Sequence, residues 1–229
     1  MTRLRFYGCL ALVAFIISAC PNYASAWHDE THVAILKAAG YDKWFNATGA
    51  DMAKIKAGKK EAHNHYCNQA RGTVVTPQTV LRQVDLYNQI DGRGHLYGAI
   101  IASLRDYTAD KRQGKYGEYH LAFSGHYVSD LSQPLHNTLY GSFNEKHHVA
   151  VDGIINDDIL DNLHKIKTYP ITITSKEGLA WEIARIANLS LNLGYKMEAE
   201  NRLMTKEEAY GQVSHSASLF KAILKFVGQ

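Results

Sequence analysis

Apolar residues recur along most of the chain at intervals of three and four, the spacing that gathers them on one face of an α-helix. From Asp29 to Ala39 that face is Val33, Ile35, Leu36 and Ala39, and Gly40 follows as a stop signal. Thr76-Pro77 is a helix start with proline in the first turn, leading into Val80, Leu81, Val84, Leu86 and Tyr87. Tyr97 to Tyr107 carries another apolar stripe, and Tyr116 to Leu131 is apolar nearly all round, which predicts a central buried helix. A further helix is expected over Lys146 to His164. Ser175 and Glu177 introduce one over Leu179 to Tyr195, and Thr205-Lys206-Glu207-Glu208 reads as a capping box ahead of a last helix ending near Phe226. Tyr169 to Thr174 (YPITIT) is the one strand candidate, equally readable as extended loop. No repeat, low-complexity tract or Pro/Gly-rich linker divides residues 27–229. The expected fold class is all-α, a single compact helical bundle.

The first 26 residues are expected to stand apart from that fold as a signal peptide. Arg3 and Arg5 give a basic start, Leu10 to Ile17 is an apolar run too short to span a bilayer comfortably, and Ala24-Ser25-Ala26 is a small-residue cleavage site. An uncleaved anchor is one alternative. Another is a lipobox at Ile17-Ser18-Ala19-Cys20, which would leave a lipidated Cys20. Cleavage after Ala26 makes the domain 27–229 and predicts a secreted or periplasmic protein. Formal charge then falls from +3 to +1, too small for any whole-surface drive towards a polyanion. Cys67 remains alone, so no internal disulfide is available. An exported domain of this kind needs a large core or bound metal. All 12 histidines fall after the signal, the first pointer to metal.

The densest chemistry lies in His126-Tyr-Val-Ser-Asp130-Leu-Ser-Gln-Pro134-Leu-His136. His126 and Asp130 are four apart, so on a helix they share a face and can reach a common ion. Pro134 ends or kinks that helix and lets His136 turn back to the same point. A buried His–Asp hydrogen bond would suit this spacing equally. His148 and Asp152 repeat the i, i+4 pattern, while His147 points about 100° away. Asp51, with His63 and His65 on a different segment, can close a site begun by His126 and Asp130, or belong to a solvated His-rich loop. Trp27 precedes His32 by five residues. A free α-amine and first carbonyl at Trp27 could chelate a metal. A core tryptophan with a surface histidine is the plainer alternative. Cys67, beside Tyr66, reads as structural rather than nucleophilic.

In this order, Trp27, Thr31-His32, Asp51, His65-Tyr66, the HYVSDLSQPLH core and the His148/Asp152 pair resemble the bacterial zinc-dependent phospholipase C family, over residues 27 to about 160. The HYxxDxxxPxH core is the specific part. The chain departs from the family pattern in having Ser129 where glycine is usual, Leu139 where asparagine is usual and Asp152 where glutamate is usual. The family's second histidine is due at Phe143-Asn144, so the use of His148 carries a shift of four.

The resemblance implies an all-α bundle with a trinuclear zinc site. Asp51, His65, His126 and Asp130 would hold one zinc, and His136, His148 and Asp152 a second. The Trp27 amine and carbonyl with His32 would hold a third, with Asp130 bridging it to the first. Asp51 would be the general base. The substrate would be a phospholipid or other phosphodiester, met at a membrane surface in transient contact, with no stable protein partner. Just past the core motif, Tyr140 and Phe143 are the nearest aromatic candidates to line the mouth, and packing of both into the bundle is the equal alternative. The related zinc-dependent single-strand nucleases share this framework and give the alternative activity. A non-catalytic exported zinc-binding protein is the third reading. Exported protein should begin at Trp27, as N-terminal sequencing or intact mass would show; a lipidated Cys20 terminus would remove the third site.

Overall fold

A computed structural model describes residues 27–229. The expectations for residues 1–26, namely the signal, its cut and the lipobox, lie outside the described residues. The described chain is all-α, and no strand is present among these residues beyond an isolated bridge between Gln69 and Thr138. The helices are α1 (Asp29–Ala38), α2 (Gly49–Ala57), α3 (Lys59–Ala62), α4 (Pro77–Gln83), α5 (Leu96–Arg112), α6 (Glu118–Leu131), α7 (Ser142–Asp152), α8 (Asn156–Ile159), α9 (Lys176–Ala199) and α10 (Lys206–Phe226). Short 3-10 turns lie at Trp44–Asn46, Val84–Leu86, Pro134–His136 and Leu163–Lys165.

The ends follow local chemistry. Gly40, at φ +84°, lets α1 close with Tyr41 N–H donating back to the Leu36 carbonyl. The Thr76 hydroxyl caps α4 and the Ser175 hydroxyl caps α9. Thr205 and Glu208 form the reciprocal capping box of α10.

Helix α6 is the hub, packed by α1, α2, α5, α9 and α10. From Leu121 to Leu131 all but Phe123 are buried, whereas Tyr116 and Tyr119 at its start are exposed. The central helix therefore begins two residues later than the apolar run.

Two further expectations are corrected. The helix expected over Lys146 to His164 starts at Ser142 and breaks at Gly153, giving α7, α8 and a 3-10 turn. Gly153 is where the His28 ring packs: a Cβ there would lie 3.1 Å from His28 Cε1. The Asn156 side chain bonds Glu30 on α1, which fixes the new direction of the chain. The stretch Tyr169 to Thr174 is extended loop; nearby, Lys167 and Tyr169 N–H groups donate to the Ser214 and Ser218 hydroxyls, so they need no neighbouring strand.

The Pro134–His136 turn is pressed against α9, where Gly194 leaves the room: a Cβ there would meet Thr138 Cγ2 at 2.6 Å and the Pro134 carbonyl oxygen at 3.0 Å. Gly194→Ala should therefore push on this turn and destabilise the fold by about 1–3 kcal/mol. Thermal unfolding measures it, and an unchanged midpoint would show that the turn does not rest on α9.

Candidate metal centre

Five elements bring polar side chains to the buried side of α6. Helix α1 supplies His32, α2 supplies Asp51, and the segment after α3 supplies His65. Helix α6 supplies His126 and Asp130, the Pro134–His136 turn supplies His136, and α7 supplies His148 and Asp152. All are buried except Asp51, which is partly exposed. Three groups form within ligand reach of a common point: His32, Asp51 and His126; His65, His126 and Asp130; and His136, His148 and Asp152. Asp130 stands among them, its oxygens 2.9 Å from His65 Nδ1, 3.4 Å from His126 Nε2, 3.5 Å from His32 Nε2 and 3.7 Å from His136 Nδ1.

The orientation of the imidazoles tests whether this is a metal centre or a hydrogen-bonded polar core. Four histidines spend one ring nitrogen on an outer acceptor. His126 Nδ1 donates to the Ala47 carbonyl at 2.8 Å and His136 Nδ1 to the His65 carbonyl at 2.6 Å. His148 Nδ1 donates to Asn144 Oδ1 at 2.6 Å, and His65 Nε2 to Glu61 Oε1 at 3.2 Å. With those protons outside, the other nitrogens carry lone pairs facing inwards, the arrangement that metal-binding histidines show. His65 Nδ1 and His126 Nε2 then face each other at 3.1 Å. Two lone pairs at that distance repel unless a cation or a proton lies between them. Nitrogen ligands about 2.0–2.1 Å from one tetrahedral ion sit about 3.3 Å apart. Inside the cluster Asp130 Oδ1, Asp152 Oδ2 and His136 Nε2 have no hydrogen bond. His32 has none of ordinary geometry either, although the Trp27 backbone lies close enough to favour its charged form. Buried polar atoms left in this state are costly. The buried His/Asp clusters can hold a metal ion, and their donor set suits a borderline ion such as zinc.

Titration follows the same geometry. Burial, with neighbouring positive groups, drives the His32, His65 and His136 pKa values well below the usual imidazole range. Burial also opposes charge on His126, but Asp51 and Asp130 push its pKa up to about 9. Burial raises Asp130 to about 6 against the pull of His126, and raises Asp152 well above the carboxylate range despite its bond from Gln133. Asp51 goes the other way: burial is outweighed by His126 and Lys54, which hold it below its usual value.

Trp27 is buried, and its indole N–H donates to the Ser129 carbonyl at 3.1 Å, on the helix that carries Asp130. His147 turns away and packs against Phe143. Tyr140 lines a cavity of about 360 Å³ that reaches Lys54, His65, His136 and His148, together with Tyr66, Asn68 and Leu135. Phe143, expected beside Tyr140, packs instead against the core. Cys67 is buried and accepts hydrogen bonds from Gln69 and Gln83, with burial pushing its thiol pKa up. It faces a structural environment.

Comparison with protein-family models, with curated proteins and with solved structures found no match. The site therefore rests on its own geometry.

Several residues here were not foreseen. Lys54 Nζ lies 2.5 Å from Asp51 Oδ1 and lines the cavity. Glu61 accepts from His65, Tyr127 and Asn64. Asn144 steadies His148, and Gln133 ties Asp152 to the backbone of the His136 turn. Asp51/Lys54, Glu61/His65 and Asn144/His148 are three or four apart, so the signal was the same spacing; Lys54 and Asn144 went unread because they are not ligand types, and Glu61 because it follows two lysines.

Glu61→Gln should leave the fold in place and weaken metal binding about 10–100-fold, the usual effect of losing an outer carboxylate. Competition against a chromogenic zinc chelator reads this directly, and wild-type affinity in the variant would remove Glu61 from the site.

Proposed function

We propose that this chain is a zinc-dependent phosphodiesterase of the phospholipase C type, cleaving the bond between a phosphorylated headgroup and a diacylglycerol. The supporting observation is the placement of three His/Asp groups around Asp130, two of which meet a cavity through His65, His136 and His148. Zinc is the proposed ion and three the proposed number. His65, His126, Asp130 and Asp51 would hold one, His136, His148 and Asp152 another, and His32 with the Trp27 amine and carbonyl a third, sharing Asp130. Bound zinc would supply Lewis acidity to a phosphoryl oxygen and bring the pKa of a coordinated water to about 7.

The chain's own groups do the rest. Asp51 is the one carboxylate of the clusters with partial exposure, and its depressed pKa keeps it ionised at neutral pH, able to take a proton from an attacking water. Lys54 points its ammonium into the same cavity, where it can neutralise a phosphodiester oxygen. Leu135, Ala62 and the rings of Tyr66 and Tyr140 give the cavity apolar walls that limit water. The water oxygen attacks phosphorus, the bond to the glycerol oxygen breaks, and that oxygen leaves protonated by solvent.

The same Tyr66 and Tyr140 rings favour a second reading, a single-strand nuclease, because tyrosine faces stack bases with little sequence preference. A non-catalytic zinc protein is less well supported, since a storage site has no use for an open cavity at its ligands.

Hydrolysis of a soluble phosphatidylcholine analogue, of single-stranded DNA and of neither separates the three readings on one zinc-loaded sample. Zinc must displace the proton that His126 carries up to about pH 9 in the ion-free chain, so apparent zinc affinity should rise with pH from 7 to 9. Below about 6 Asp130 takes up a proton as well as His126, and activity should fall, earlier when free zinc is scarce. Activity that survives chelation, or zinc affinity flat from pH 7 to 9, would sink the proposal.

A further inference from the structure

Helix α2 has two unlike faces. Asp51 and Lys54 turn inwards to the metal centre and its cavity. Met52, Ile55 and Lys56 fall within about 100° of arc on the opposite side. Met52 is 62 % and Ile55 73 % exposed, and they lie one turn apart as a contiguous apolar pair. The chain then turns at Gly58, at φ +56°, and Lys59 and Lys60 on α3 are also exposed. Lys56, Lys59 and Lys60 have no ion-pair partner among the described residues. The two acids that bracket them, Asp51 and Glu61, are both committed inwards. The outer surface of residues 52–60 is therefore apolar and uniformly positive. Across the cavity, Leu139 and Tyr140 are half exposed, and Tyr140 also lines the cavity.

We propose that the outer face of α2 and α3 docks on an anionic bilayer, Met52 and Ile55 entering the interface while Lys56, Lys59 and Lys60 meet lipid phosphates. Charge complementarity selects the occupant. An apolar pair ringed by unpaired lysines matches a surface that is negative at the headgroups and apolar just beneath them. A nucleic acid would satisfy the lysines and leave Met52 and Ile55 in water. The docking names the physical form in which the proposed substrate is met and in that sense rests on the phospholipid reading, but binding is separate from turnover.

The test is co-sedimentation of zinc-loaded protein with phosphatidylcholine vesicles, with and without phosphatidylserine. Binding should require phosphatidylserine and weaken in high salt. Each lysine near an anionic surface contributes about fivefold, so the triple change Lys56→Gln, Lys59→Gln and Lys60→Gln should weaken binding about a hundredfold. Met52→Ser with Ile55→Ser should weaken it while leaving the salt dependence in place. Both variants should keep wild-type zinc content and wild-type hydrolysis of a water-soluble substrate. Undiminished vesicle binding in both variants would overturn the proposal. So would binding to single-stranded DNA that the lysine changes abolish and the apolar changes leave intact, in a protein indifferent to vesicles. If vesicles are bound as expected and no phosphodiester is cleaved, the docking surface stands and the enzymatic reading falls.

Discussion

Everything around the centre depends on where the outer nitrogen of each histidine goes. An imidazole that donates outwards to a fixed acceptor has one tautomer and one ring plane, and its remaining lone pair is aimed. The Ala47 carbonyl, the His65 carbonyl, Asn144 and Glu61 provide this for His126, His136, His148 and His65. Two of those acceptors are backbone and cannot be removed by changing a side chain. The His65 carbonyl is a linking device as well, because His65 offers its ring to one cluster while its backbone orients the histidine of another.

The bundle is arranged to keep this shell rigid. Asp130 sits on the most enclosed helix of the fold, so its carboxylate has little water to lean on and relies on its neighbours. Gln133 accepts from the backbone N–H groups of Leu135 and His136 and donates to Asp152, so one amide shapes the turn and places a carboxylate. Helices α9 and α10 supply no ligand and act as backing, α9 against the turn and α10 against α1 and α6. The division of labour is between a ligand-bearing layer up to Asp152 and a supporting layer after it.

Helical spacing was legible because it is a one-dimensional signal: the buried stripe of α6, the caps at Thr76, Ser175 and Thr205, and the i, i+4 pairs His126/Asp130 and His148/Asp152 all follow from it. What stayed hidden depends on contacts between distant segments. The break at Gly153 reflects the His28 ring packed over it, and nothing near residue 153 announces that neighbour. Phe143 lies three residues after Tyr140 but already belongs to α7, where it packs against the core. Lys54 and Glu61 stand among lysines in the sequence, and their turn inwards is visible only once Asp51 and His65 are placed. The grouping of the candidate residues in space is what the geometry adds.

The Trp27 indole has a second side to its bond with Ser129. That carbonyl belongs to the last turn of α6 and also accepts from the Ser132 N–H and hydroxyl, so Trp27 joins the group of donors that closes the central helix. Of the three tryptophans, Trp27 is fully enclosed, Trp44 is half-buried and Trp181 is exposed. Trp27 is thus an indole enclosed by the fold and bonded to the residue next to Asp130, and the fraction of the emission that a soluble quencher cannot reach reports whether Trp27 is docked, with no label added to the chain.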